Sequence, residues 1–155
     1  STADFSGDRA ALEQSGMLPG MKGHEGFSAG ARYDAQGNFL SLTLLWMHRD
    51  AQGLQNYSDL CVIAGKEEEN AAQDLIFVQL DENGNPIAEK GETVTDYWGT
   101  RIVAGVSESG KKTLTFRTEN GWYQISGSFA DSYESVAELM QWFLQHPIDF
   151  AYFEK

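Results

Sequence analysis

Cationic side chains are scarce in this chain: 11 Lys and Arg face 23 Asp and Glu, a formal net charge of −12 over 155 residues. That imbalance argues against a nucleic-acid or anionic-membrane surface, because each phosphate contact needs a Lys or Arg. The acidity itself reads as solubility, with a cationic partner as the other reading. Cysteine occurs once, at Cys61, which excludes an intramolecular disulfide. Its apolar setting, Leu60-Cys61-Val62-Ile63, predicts a buried, inert thiol. No apolar run approaches the roughly 20 residues of a membrane-spanning helix. The three histidines, His24, His48 and His146, stand far apart without a His-x-x-x-His or Glu-x-x-His spacing, so no metal site is expected. Gly-x-Ser-x-Gly, P-loop and dinucleotide fingerprints are missing as well, and no cofactor is expected.

What is present is a repeated turn. Asp34-Ala-Gln-Gly37, Asp50-Ala-Gln-Gly53, Asp81-Glu-Asn-Gly84, Ser107-Glu-Ser-Gly110 and Thr118-Glu-Asn-Gly121 all place a short polar side chain three residues before glycine. The first residue accepts backbone N–H groups and the glycine tolerates positive φ, which favours a type I turn leading into a bulged hairpin. The segments between these turns predict strands at Phe27–Tyr33, Phe39–His48, Tyr57–Ala64, Leu75–Leu80, Ile87–Glu89, Arg101–Val106, Lys112–Arg117 and Trp122–Gly127. In the second of these, Leu40, Leu42, Leu44 and Trp46 share one face by the two-residue period, and Leu45 and Met47 the other. The strand is therefore expected to be central and covered in part on both sides.

One amphipathic helix closes the chain. Asp131 suits an N-cap with Glu134 three residues on, and Val136, Leu139, Met140, Phe143 and Leu144 form a single stripe. Pro147 ends the run, with His146 in its last turn, where the helix dipole favours positive charge. The predicted architecture is one α+β domain over 1–155: a twisted antiparallel meander of six to eight strands with this helix packed on one face. The first 26 residues are poorly defined, apart from one helical turn at Arg9–Gln14. The Lys66–Asn70 stretch reads as a solvated loop or helix start, and the tail Ile148–Phe153 as a possible edge strand.

Few residues stand out as candidates for function. Asp81, Asn83, Asn85, Glu89 and Glu92 match ligand positions 1, 3, 5, 9 and 12 of a calcium loop. Pro86 occupies the position that needs Gly, so a hairpin with incidental acidity is expected and no Ca²⁺ site. No acidic pair is singled out by context, which leaves catalysis without assigned residues. Trp142 lies off the helical stripe: either the tail Phe150–Phe153 covers it, or it is an exposed anchor for a partner. Tyr97 and Trp98, ahead of Gly99, pose the same choice between loop packing and a ligand or partner contact.

The closing block resembles a known arrangement. Val103-Ala-Gly105, Leu114-Thr-Phe116, Glu119-Asn-Gly-Trp-Tyr-Gln-Ile125 and the helix Ser135–Leu144 with its Glu138-Leu139 pair resemble a domain of unknown function. That domain closes the extracytoplasmic part of bacterial membrane proteins, some of them related to anti-sigma factors. The resemblance implies a place outside the cytoplasm and a sensing or interaction role, with no catalytic residues. The chain begins Ser1-Thr-Ala rather than with Met, and an upstream signal or membrane anchor is the expectation. The leading function is a non-enzymatic extracytoplasmic interaction or sensor module. A small apolar-ligand binder built on an aromatic-rich curved sheet is the alternative, and a hydrolase using two carboxylates the third.

Overall fold

Two three-stranded meanders, one from each half of the chain, are joined edge to edge through their inner strands. The computed structural model describes residues 1–21, 26–49, 55–71, 75–80, 86–90, 93–97, 100–107, 112–127 and 133–154. Its strands are β1 (Thr2–Asp4), β2 (Gly26–Tyr33), β3 (Phe39–Arg49), β4 (Gln55–Gly65), β5 (Leu75–Leu80), β6 (Pro86–Lys90), β7 (Thr93–Tyr97), β8 (Thr100–Ser107), β9 (Lys112–Thr118) and β10 (Gly121–Gly127). The helices are α1 (Arg9–Gln14), the single turn α2 (Glu68–Ala71) and α3 (Tyr133–Gln145). The sheet runs β1-β2-β3-β4-β10-β9-β8-β5-β6, and β7 also pairs with β8. Every pairing is antiparallel.

The α+β class and the C-terminal helix on an antiparallel sheet are as the sequence predicts. The strand count rises to ten, because the N-terminal Thr2–Asp4 and the short Thr93–Tyr97 also join the sheet. A single meander gives way to two, because β4 pairs with β10 rather than with β5. The segment between the meanders leaves to the far edge. There β5 takes Gly105–Ser107 of β8 and β7 takes Thr100–Ala104, so two short strands share one side of β8.

The pairings align side chains in rows across the sheet. On the first face Ala31, Leu42, Ala64, Tyr123 and Phe116 lie opposite one another, and so do Ala29, Leu44, Val62, Ile125 and Leu114. All ten are buried. Helix α3 packs on β9 and β10 and lays the predicted stripe on this face: Val136, Leu139, Met140 and Phe143 are buried, and Leu144 partly so. Each large apolar side chain removed from water contributes about 1.5–3 kcal/mol, so the helix is held by its stripe more than by its ends. Capping by Asp131 falls outside the described residues, as do the turns at Asp50–Gly53 and Asp81–Gly84.

The β2–β3 turn forms as its residues require. Asp34 Oδ1 accepts the N–H groups of Gln36 and Asn38, each at 2.9 Å, and Gly37 sits at φ +83°. The turn inserts one extra residue into β3, where Arg32 faces Ser41 but Tyr33 faces Phe39. Leu40 is that extra residue. The bulge breaks the two-residue period, so Phe39 rather than Leu40 packs against the core.

The tail is a correction. Residues Phe150–Phe153 form a 3-10 turn, not an edge strand, because Asp149 Oδ1 accepts the Ala151 N–H at 3.1 Å and starts a tight turn. Its rings complete an aromatic chain across the first face. Phe116 stacks on Tyr123, Tyr123 meets Phe143 and Phe150, Phe150 meets Phe39, and Phe39 and Phe5 both meet Phe153. Tyr33 donates its hydroxyl to the Phe153 carbonyl, and Tyr152 donates to Asp8 at 3.2 Å. Cys61 is only half-buried, because it faces away from this core, between Leu45 and Ser126.

Candidate functional site

Three places come from the sequence or from the register: the Asn120–Ile125 hairpin, the Trp142 end of α3, and the second face of the sheet. In the hairpin each residue type has a structural task. Asn120 donates its side-chain amide to the Ile148 carbonyl. Ile148 returns its own N–H to the Tyr123 hydroxyl at 2.8 Å, and that hydroxyl donates to Asn120 Oδ1 at 3.4 Å. Both backbone groups of Ile148, a residue 1% exposed, are thereby satisfied by one turn. Burial raises the Tyr123 pKa, opposed by the Ile148 N–H bond, so the phenol is a neutral structural hydroxyl at ordinary pH.

Gly121 has a different task from the one expected. It is not at positive φ. A Cβ there would lie 2.5 Å from the Gly65 carbonyl oxygen and 2.8 Å from a Phe150 ring carbon. The residue is glycine because β4 and the tail approach too closely for any side chain. The hairpin is therefore a clamp on the C-terminal tail.

Trp142 projects off the buried stripe of α3 at the margin of the core. The tail folds back onto Phe5, Phe39 and Tyr123, and the ring that meets Trp142 is His146, stacked at 3.9 Å and 15°. His146 also places Nδ1 3.0 Å from the Trp142 carbonyl oxygen and donates its backbone N–H there at 2.8 Å. One carbonyl at the C-terminus of α3 thus receives two contacts, a side-chain cap of the kind His makes at helix ends. The Trp142 indole N–H is enclosed and has no hydrogen-bond partner among the described residues. An unmade bond of that kind costs about 1–3 kcal/mol.

Tyr97 ends β7 opposite Thr100, and Trp98 lies outside the described residues. Of the calcium-loop positions, Pro86–Lys90 form strand β6, paired with β5, and the remainder lies outside. Among the described residues no three His, Cys, Asp or Glu side chains converge to hold a metal. No helix there is long and apolar enough to cross a membrane. Among the described residues two carboxyls are shifted, and both move down. Hydrogen bonds from Ser6 hold the Asp4 pKa low, and those from Asn38, backbone first, hold Asp34 low. A general acid needs the opposite shift.

The second face of the sheet carries polar rows. Arg32 lies opposite Ser41, and Gly30, Thr43, Ile63, Gln124 and Thr115 align beside them. Gln124 Nε2 donates to Thr115 Oγ1 at 3.3 Å, while the buried Thr113 hydroxyl has no partner among the described residues. Where β1 to β4 meet α2, this face holds a cleft of about 260 Å³ whose lining includes Arg32, Ser41, Thr43 and Asn70. Sequence reasoning missed these residues, because alternating polar positions look alike whether they face solvent or a cleft. Comparison with protein-family models, curated proteins and solved structures finds no match to this chain.

Proposed function

We propose that the domain is a non-enzymatic interaction or sensor module working outside the cytoplasm, and that it meets a protein partner through the Trp142–His146 stack at the end of α3. One observation carries the reading. A tryptophan off the core stripe stacks flat on a histidine, both half-buried, with an indole donor that meets no acceptor among the described residues. Tryptophan anchors of this type dominate binding energy where a partner excludes water from them. A partner acceptor that draws the indole out would relieve the unmade bond. The location rests on the likeness of the 103–144 block to the extracytoplasmic domains named above. The apolar-ligand reading has less support, because the rings it needs pack on one another in the core.

A photo-crosslinking amino acid placed at position 142 in the full-length protein, in its native host, tests the reading. A discrete adduct at 142, without one at Gln36 in the exposed β2–β3 turn, supports it. Equal labelling at both positions, or none at 142, contradicts it. A phosphatase reporter that is active only outside the cytoplasm, fused after Lys155, tests the compartment. An inactive but stable fusion contradicts the location.

A further inference from the structure

The second-face cleft has the chemistry of an anion site, and we propose that it binds the carboxylate of a small polar molecule. Two observations point there independently. Arg9 and Lys66 pair with carboxylates of Glu13 and Glu154. Arg32, in a chain with twice as many acids as bases, has no carboxylate among the described residues. Among those residues its one side-chain hydrogen bond is from Nη2 to the neutral Asn70 Oδ1 at 3.4 Å. Ser41, directly across from Arg32, is only 5% exposed, lines the cleft, and has no hydrogen bond from its hydroxyl among the described residues.

The local sequence explains the hollow. Gly30 contributes no side chain to the floor beside Arg32, and Thr43 and Ile63 continue that floor along the same row. Asn70 on α2 forms the facing wall. By accepting from Arg32 it orients the guanidinium and leaves its own N–H₂ group to donate. A planar guanidinium recognises a carboxylate with two parallel bonds, and the Ser41 and Thr43 hydroxyls supply further donors. At about 260 Å³ the cleft falls just below the size of pockets that enclose drug-sized ligands, which suits a short mono- or dicarboxylate. The net negative charge of the chain does not forbid this, because distant charges are screened beyond about 8 Å at physiological salt. The site is separate from the Trp142 stack and does not rest on it.

Titration of the ¹⁵N-labelled protein with sodium succinate at pH 7, followed by amide chemical shifts, tests the proposal. Saturable shifts confined to Arg32, Ser41, Thr43, Asn70 and their neighbours are expected. Arg32→Gln, at an exposed position, should weaken binding at least tenfold, and Ser41→Ala by a smaller factor. Arg117→Gln, whose guanidinium sits over Trp122, should leave it unchanged. Inorganic phosphate and glycerol are run in parallel. Saturation by phosphate without succinate would reassign the cleft to another anion and overturn the carboxylate assignment. Shifts that grow linearly and spread over all cationic residues, or that survive Arg32→Gln, would remove the site altogether.

Discussion

Replacing Tyr123 by Phe removes one oxygen atom and leaves the ring, so it isolates the clamp from the packing. The Ile148 N–H is buried and gives its proton to that oxygen at 2.8 Å. Asn120 Oδ1 loses one donor but stays within reach of the Thr118 hydroxyl. The cost is therefore one buried N–H left unmade, about 1–3 kcal/mol. For a chain of this size that lowers the melting temperature by roughly 2–12 °C. Urea unfolding followed by tryptophan fluorescence measures it, with the midpoint reduced and the slope unchanged. Asn120→Ala should act on the same unit, so the double variant should cost less than the sum of the single ones. A Tyr123→Phe midpoint equal to wild type would refute the reasoning, since it would mean that Ile148 finds water or another acceptor at no cost.

Other outcomes follow from the same geometry. Gly121→Ala forces a methyl group to within 2.5 Å of the Gly65 carbonyl oxygen and should destabilise by about 1–3 kcal/mol; Gly20→Ala, with no atom within 4 Å, should leave the midpoint unchanged. Phe143→Ala empties a fully buried position against Tyr123 and should cost about 3–5 kcal/mol in denaturant titration. Asp34 has a folded pKa held below its ordinary value, so its contribution is present above the unfolded value, about 3.9, and is lost as pH falls through the folded one. Melting temperatures measured from pH 6 to pH 2 should show wild type above Asp34→Asn at pH 6, with the two curves converging in acid; a constant offset would contradict this.

Local signals in the sequence carried the parts of the fold that local physics decides. The Asp34–Gly37 turn, the strands beside it and the α3 stripe follow from side-chain period and turn chemistry, which a short window contains. The join of β4 to β10 did not follow, because Gly65 and Trp122 face each other across 57 residues of chain, and no local pattern encodes that pairing. The bulge at Leu40 arises from the turn beyond it and shifts the strand period without changing composition. Tail residues Phe150 to Phe153 resemble a strand in hydropathy, yet their conformation is set by Asp149 and by the clamp.

The candidate sites divide in the same way. Trp142 was legible because a single helix fixes which face it occupies. Arg32, Ser41 and Asn70 were not, because they come from β2, β3 and α2 and meet only through register. The Asn120-Gly121-Trp122-Tyr123 segment, which carried the family resemblance, turns out to hold the tail in place. On the function proposed above, recognition would be sought elsewhere, at Trp142, and on the further inference in the Arg32 cleft.

Amide hydrogen exchange at Ile148 tests the clamp most directly. The account predicts that this N–H, beyond the helix-ending Pro147, exchanges as slowly as the amides of β10 in the wild type, and that Tyr123→Phe accelerates it selectively. Rapid exchange in the wild type, at the rate of an exposed tail, would contradict it.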